Sequence, residues 1–221
     1  DLEKVVLEVS RQFSALLVTG PRQVGKTTML QKLMEGTNRH YVTLDDLNDR
    51  ALAQADPQMF FQLHKPPILI DEVQYAPELF PYIKILADRE RRPGDFWLTG
   101  SQSFRLAELA GESLAGRVCL LHMSTLSQAE LYGAPDDGPF ALELSALQAR
   151  IARRAPAGVS EMFQRIFQGS MPALASGAIT QRNLFYSSYI STYIERDVRQ
   201  LSGSIEAVEF LRFLTAAACR V

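Results

Sequence analysis

Five short apolar runs recur along residues 1–122, and each has the length and composition of a buried β-strand. Between them, apolar residues recur at helical spacing, as in Thr28–Met34 and Glu78–Arg89. This alternation predicts an α/β fold, a parallel sheet with helices on both faces. Further helices are predicted at Asn48–Leu63, with a break at Pro57, and at Phe104–Leu114. We place the strands at Ala15–Thr19, Tyr41–Leu44, Pro67–Ile70, Phe96–Thr99 and Val118–His122.

The remainder of the chain has helical patterns and no strand pattern. Gly, Pro and Asp cluster between Tyr132 and Pro139, which is typical of a domain boundary. We therefore predict a sheet domain over residues 1–132, a linker with one helix over 133–158, and a smaller all-helical region over 159–221. The apolar stripe of the last helix reaches the final residues without an end signal, so we expect 159–221 to be the start of a larger C-terminal domain.

A glycine-rich loop joins the first predicted strand to its helix. It reads GPRQVGKT over Gly20–Thr27 and fits the phosphate-binding pattern G-x-x-x-x-G-K-[ST] at every defined position. Backbone N–H groups of such a loop converge on phosphates, and the helix N-terminus adds partial positive charge. We expect Lys26 to reach the β- and γ-phosphates and the Thr27 hydroxyl to bind Mg²⁺. The predicted nucleotide-binding residues are Gly20, Pro21, Arg22, Gln23, Val24, Gly25, Lys26, Thr27 and Thr28.

Two acidic residues, Asp71 and Glu72, follow the Pro67–Ile70 strand directly. An aspartate at the carboxyl end of a strand beside the P-loop strand can hold Mg²⁺, which is the Walker B role, and we assign it to Asp71. A carboxylate at Glu72 could orient and deprotonate the attacking water. The alternative is that both residues only cap the helix that follows. Beside a P-loop, the Walker B interpretation is favoured.

A polar segment also follows the Phe96–Thr99 strand. Ser101 and Gln102, with Thr99 behind them, are candidates to touch the γ-phosphate and the attacking water. The alternative is a Gly-Ser turn that leads into the next helix.

Composition restricts the classes of partner. The formal net charge of -2 gives no support to strong non-specific nucleic-acid binding, which needs a basic surface. No apolar run approaches the length of a membrane span. The two cysteines, Cys119 and Cys219, form no metal-ligand spacing, so we expect a reduced, cytoplasmic setting.

With these motifs placed, the chain resembles a family of prokaryotic AAA+-type ATPases in which a P-loop domain (AAA_14) precedes a separate C-terminal region (DUF4143). The resemblance covers nearly the whole length and implies ATP as ligand, Mg²⁺ as cofactor, and an extra catalytic strand between the P-loop and Walker B strands. It also implies that this chain stops before the C-terminal part of such proteins. The stretches that carry it are Val18–Thr28, Ile70–Gln74, Leu98–Gln102, Leu114–Arg117, Leu126–Glu130 and Tyr189–Val198.

Arg117 immediately precedes the last predicted strand. An arginine there could stabilise γ-phosphate charge, either in its own subunit or in a neighbouring one. It could equally form an ion pair that anchors the start of the strand. The residues alone leave these alternatives open.

The leading interpretation is an enzyme that hydrolyses ATP with Mg²⁺ and thereby drives a conformational change in its C-terminal region or in a partner. The alternative is a nucleotide-gated binding switch, DNA-associated in one version, with negligible turnover. A small-molecule kinase fits less well, because the charged turn at Arg89–Arg92 is a poor match for a basic lid. The sequence identifies no protein or DNA partner and leaves a homo-oligomer open.

Overall fold

The computed structural model describes residues 2–101, 103–133, 141–153, 158–193 and 207–220. Five parallel strands form one sheet in the order β2-β3-β4-β1-β5. The strand β4 thus lies between β1, which precedes the glycine-rich loop, and β3, which ends in Asp71. The strands are β1 (Ala15–Thr19), β2 (His40–Thr43), β3 (Ile68–Asp71), β4 (Phe96–Gly100) and β5 (Val118–His122).

The three central strands are buried on both faces, which explains their uninterrupted apolar sequences. Alternate side chains enter different cores, because successive residues of a strand point to opposite faces. Leu17, Ile70 and Leu98 pack in one cluster with the helices that follow β2, β3 and β4. Leu16 and Trp97 pack in the other with the first two helices.

Local signals fix several helix boundaries in the sheet region. Asp46 caps α3 by accepting from the backbone N–H groups of Asn48 and Asp49. Asp56 caps α4, whose first residue is Pro57, so the predicted break is present. The helices here are α1 (Leu2–Val9), α2 (Lys26–Met34), α3 (Leu47–Ala55), α4 (Pro57–Leu63), α5 (Leu79–Glu90), α6 (Ser103–Ser113) and α7 (Gln128–Leu131), with a 3₁₀ turn at Val73–Tyr75.

A partly buried arginine lies at the amino ends of the strands. Arg39 donates to the backbone carbonyls of Ile68, Asp95 and Gly94, and its guanidinium lies 4.0 Å from the ring centre of Trp97. Burial lowers the pKa of Arg39 to about 10, so it stays charged at neutral pH. The Arg39 side chain therefore links the amino ends of β2, β3 and β4.

The helical region follows the sheet and lies against the glycine-rich loop. Val24 of that loop is 1% exposed, and it packs with Met171, Leu174 and Phe185. By contrast, an apolar stripe on α9 is exposed, with Phe163 at 62%. The helices of this region are α8 (Leu144–Arg153), α9 (Val159–Gln168), α10 (Pro172–Ala175), α11 (Arg182–Tyr193) and α12 (Ala207–Ala218).

The structure confirms the predicted α/β fold class and the position of β4 between β1 and β3. The short elements α1, α7 and α10 and the 3₁₀ turn were not predicted. Within the described ranges, no helix combines the length and apolar character that crossing a bilayer requires.

Candidate functional site

The glycine-rich loop requires glycine at its two ends. Gly20 has φ +146° and Gly25 has φ +95°, values that L side chains rarely adopt. A Cβ on Gly20 would stand 2.0 Å from the carbonyl oxygen of Met123, in the segment that leaves β5. The loop therefore fits only with glycine there, and α2 begins directly after Gly25.

Lys26, the first residue of α2, is 6% exposed. Its Nζ donates to the backbone carbonyls of Gly20 at 2.9 Å and of Pro21 at 2.7 Å. The ammonium group thus lies across the loop that is predicted to hold the phosphates.

Asp71 is the centre of a polar cluster at the carboxyl edge of the sheet. Its Oδ1 accepts from the Thr27 hydroxyl at 2.7 Å and from the Thr99 hydroxyl. Its Oδ2 accepts from the Tyr41 hydroxyl at 3.3 Å. Burial raises the pKa of the Tyr41 phenol, and the Asp71 charge raises it further, so this hydroxyl remains a donor. Three elements thus hold one carboxylate in place.

Glu72 has left-handed backbone geometry, with φ 56° and ψ 45°. Its side chain makes no capping hydrogen bond to the 3₁₀ turn that follows, so the capping interpretation does not describe it. Instead, its Oε2 accepts from the Ser101 hydroxyl at 3.4 Å and from the side-chain amide of Gln74. The Thr99 hydroxyl accepts the Glu72 backbone N–H at 3.4 Å.

A cavity of about 280 Å³ lies over the glycine-rich loop. Glu72 lines it from the end of β3, and Tyr189 and Thr192 line it from α11. The predicted phosphate-binding residues on its wall are Arg22, Gln23, Gly25, Lys26, Thr27 and Thr28.

A second cavity of about 340 Å³ adjoins the first. The two share Gln23, Tyr189 and Thr192 on their walls. The second is the more apolar, since Ile179, Leu184 and Phe185 contribute to it. Together the cavities form a cleft between the glycine-rich loop and α11.

The remaining predicted site residues take different positions. Val24 is buried in the cluster with the helical region, and the Pro21 carbonyl accepts from Lys26. Ser101 contacts Glu72 as described, whereas Gln102 lies outside the described residues.

Arg117, whose role the sequence left open, forms an ion pair in the structure. It precedes Val118, which pairs with Ala15 at the amino end of β1, whereas the glycine-rich loop follows the carboxyl end of β1. The two ends of that strand are about 13 Å apart. The Arg117 guanidinium binds the Asp88 carboxylate through Nε and through Nη2, the latter at 3.0 Å. Within its own chain, Arg117 therefore belongs to an ion pair on the opposite edge of the sheet.

Several residues at the site were missed by sequence reasoning. Gln74 stands in the quoted Ile70–Gln74 stretch, two residues after Glu72, so the motif itself could have pointed to it. Tyr41 could have been considered, because it lies on the strand beside β3. Nothing in the local pattern of α11 distinguishes Tyr189 or Thr192, since their approach to the cavity depends on tertiary packing.

The donor set fits Mg²⁺ rather than a softer metal. Thr27 and Asp71 offer hard oxygen atoms and already lie within hydrogen-bond distance of each other. Among the described residues, no group of three or more His, Cys, Asp or Glu side chains could form a metal site. Mg²⁺ suits such a place, because it is commonly held by one or two protein ligands together with substrate phosphates.

Comparison with known proteins finds relatives by sequence and a shared fold. Two uncharacterised proteins, from Mycobacterium tuberculosis and Mycobacterium bovis, are each 32% identical over 204 residues, which is 92% of this chain. The chain spans only 40% of the length of these relatives. Among solved structures, a Walker-type ATPase from Pyrococcus abyssi shares the fold at 14% identity and a TM-score of 0.52. The match covers 98% of this chain and 76% of the chain of that ATPase.

Family profiles match two stretches. The profile over residues 159–221 is that of a domain of unknown function, DUF8612, so the expected DUF4143 region was not found. The profile of the AAA domain family AAA_14 matches residues 12–132, more than half of the chain, and it contains the glycine-rich loop, Asp71 and Glu72. This protein therefore belongs to the AAA_14 family of AAA domains.

Proposed function

We propose that this chain binds ATP with Mg²⁺, hydrolyses it, and uses the reaction to change the position of its helical region or of a partner. The observation that carries the proposal is the wall of the first cavity. Lys26 and Thr27 of the glycine-rich loop face the same space as Glu72. A phosphate-binding loop and a carboxylate able to accept a proton from water thus open onto one cavity.

The chemistry assigned to these residues is the attack of water on the γ-phosphorus. Glu72 would accept a proton from the water as the new P–O bond forms, and the bond to the β,γ-bridging oxygen would break to release ADP and phosphate. Lys26 would exchange its hydrogen bonds to the carbonyls of Gly20 and Pro21 for hydrogen bonds to phosphate oxygens. These are stronger, because both partners carry charge. When bound at Thr27 and Asp71, Mg²⁺ would neutralise charge on the β- and γ-phosphates.

The cleft also suggests how the helical region would respond. Val24 lies within the glycine-rich loop and is covered by Met171, Leu174 and Phe185. Any change in the loop on binding or loss of phosphates would therefore press directly on this cluster. Packed apolar contacts transmit small displacements because they contain few voids.

The second cavity supports a place for the base and ribose. It adjoins the phosphate cavity, and its apolar wall suits the flat face of a purine. Tyr189, which lines both cavities, would lie near the junction of the two parts of the nucleotide.

The test compares Glu72→Gln with Lys26→Ala. Glu72→Gln should bind ATP with Mg²⁺ as the unaltered chain does, while the hydrolysis rate falls by about 10² to 10⁴, since the amide cannot accept the proton. Lys26→Ala should lose ATP binding, because it removes the charge that faces the phosphates. Titration calorimetry measures ATP affinity, and phosphate release under steady-state conditions measures the hydrolysis rate.

Two results would count against the proposal. Unchanged ATP affinity in Lys26→Ala would mean that the glycine-rich loop is not the nucleotide site. Equal and negligible phosphate release from the unaltered chain and from Glu72→Gln would instead support the alternative, a nucleotide-gated switch without significant turnover.

A further inference from the structure

We infer that Gln74 is a positioning residue for hydrolysis: its side-chain amide holds one oxygen of Glu72 and thereby aims the other at the attacking water. This inference rests on the proposed function. It assigns a role to a residue that neither the phosphate-binding loop nor the Walker B pair includes.

The first observation is the contact itself. Gln74 is 6% exposed, and its Nε2 donates to Oε2 of Glu72. The reverse orientation of the amide would bring its oxygen against the carboxylate, so charge dictates which atom faces Glu72. The Ser101 hydroxyl donates to the same oxygen. Oε1 of Glu72 has no hydrogen-bond partner in the described part of the chain, and Glu72 lines the phosphate cavity.

The second observation is that Gln74 makes this contact at a cost. Its own Oε1 is buried and has no hydrogen-bond partner among the described residues. A buried acceptor without a donor is destabilising, and an apolar side chain of similar size would avoid that penalty. The amide is therefore poorly explained by packing alone and well explained by its bond to Glu72.

The third observation is the space made for the amide. A Cβ on Gly100 would lie 2.4 Å from Oε1 of Gln74 and 2.2 Å from Cδ1 of Leu106. The glycine at the end of β4 thus allows the amide to lie between that strand and the Glu72 carboxylate. The amide of Gln74 thus packs against the end of β4 and donates to the residue that follows β3.

These contacts explain how a carboxylate in a left-handed backbone position could act in one orientation. A general base must lie within hydrogen-bond reach of the proton that it accepts. With Oε2 held by Gln74 and Ser101, rotation of the carboxylate is restricted and Oε1 stays available to water. Without the amide, Glu72 would sample orientations that do not reach the water, so turnover would fall while phosphate binding would not.

The test is the substitution Gln74→Leu, which keeps the approximate size and removes both amide atoms. We expect kcat for ATP hydrolysis to fall by about 10-fold to 100-fold, with KM and ATP affinity within about twofold of the unaltered chain. The unfolding temperature should be unchanged or higher, because the unpaired oxygen is removed. A loss of rate in a chain that is at least as stable separates positioning from a merely structural role.

Two further variants sharpen the experiment. Gln54→Leu is the matched control: this exposed glutamine donates to the backbone carbonyl of Tyr75 on the same 3₁₀ turn, and none of the hydrogen bonds of Glu72 within the described residues involves it. It should keep the full rate. In a Glu72→Gln background, Gln74→Leu should cause no additional loss, because the group that it aims is already absent.

The outcomes distinguish this inference from the function on which it rests. No hydrolysis by the unaltered chain would refute the proposed function. Hydrolysis by the unaltered chain with an equal or higher kcat in Gln74→Leu would refute the positioning role, as would a loss that persists undiminished in the Glu72→Gln background.

Discussion

The sheet region and the helical region differ in how many apolar side chains they bury and in what those side chains contact. In the sheet region, the side chains of β1, β3 and β4 are buried on both faces, and two apolar clusters surround them. In the described residues beyond 140, the buried apolar side chains are Met171, Leu174 and Phe185 alone, and these pack on Val24. The sheet region has its own core, whereas the helical region has its main buried contact with the glycine-rich loop.

This difference suggests that the two regions have different functions. A region with a large core can keep catalytic groups in fixed positions, since dense packing resists displacement. A region with a small core has a low free energy of local rearrangement, so a modest change at its anchor can move it. We therefore expect chemistry to be located at the sheet edge and the response to be located in the helices.

The largest expected effect compares two phenylalanines. Phe80 on α5 is 0% exposed, whereas Phe163 on α9 is 62% exposed. Phe80→Ala should lower the free energy of unfolding by about 3–5 kcal/mol, because it removes buried contacts and leaves a cavity. Phe163→Ala should change it by no more than about 0.5 kcal/mol. Guanidinium denaturation followed by circular dichroism measures both. A comparable loss in Phe163→Ala would show that α9 contributes to a core after all.

An intermediate effect is expected at the anchor. Phe185→Ala removes the largest buried side chain of the cluster that contains Val24, and Phe185 is 7% exposed. Proteolysis within residues 159–193 should become faster. The denaturation midpoint of the chain, followed by circular dichroism, should stay unchanged. ATP affinity should fall about tenfold, the equivalent of losing about 1.4 kcal/mol of contact free energy near Tyr189. Ile190→Ala is a useful control, since Ile190 lies on the same helix, is 37% exposed and does not line either cavity.

The smallest effect concerns the edge of the sheet that faces away from the cavity. The hydrogen bond from Arg117 lowers the pKa of Asp88 below its ordinary value of 3.8. A carboxyl whose pKa is lowered on folding contributes stability above the unfolded-state pKa and loses it as the pH falls through the folded-state pKa. Arg117→Ala should therefore lower the unfolding temperature slightly at neutral pH, and the difference should vanish in strong acid.

The hydrolysis rate of Arg117→Ala separates the two remaining interpretations of this residue. A normal rate is expected, in agreement with an ion pair. A large loss that is rescued by mixing with Glu72→Gln would show instead that Arg117 acts in a neighbouring subunit's site.

The fold was largely predictable because the sheet imposes a strong pattern. Strands buried on both faces, such as β1 and β4, read as continuous apolar runs. All five strands lie within one residue of their predicted bounds. The short helices α7 and α10 span four residues each, too few to establish a helical period. Strand order entered only through the family resemblance, since periodicity does not specify which strands are neighbours.

The candidate site was predictable only where the chemistry is local in sequence. The loop at Gly20–Thr27 and the pair Asp71-Glu72 are contiguous motifs, so their residue types could be recognised together. The contacts of Tyr41 and Tyr189 depend on tertiary packing and leave no local signature. For Arg117 a signal existed: a residue just before a parallel strand lies at the amino edge, while a loop just after a strand lies at the carboxyl edge.

The position of Trp97 has a spectroscopic consequence. It is the single tryptophan of the chain, and it is 3% exposed beneath the Arg39 guanidinium. It lies on β4, two residues before Thr99, and its Nε1 donates to the Ser10 hydroxyl at 2.8 Å. Its fluorescence should therefore report on the interior of the sheet region without any contribution from the helices beyond residue 140. Selective excitation of this indole can therefore follow unfolding of the sheet region while the helical region is present.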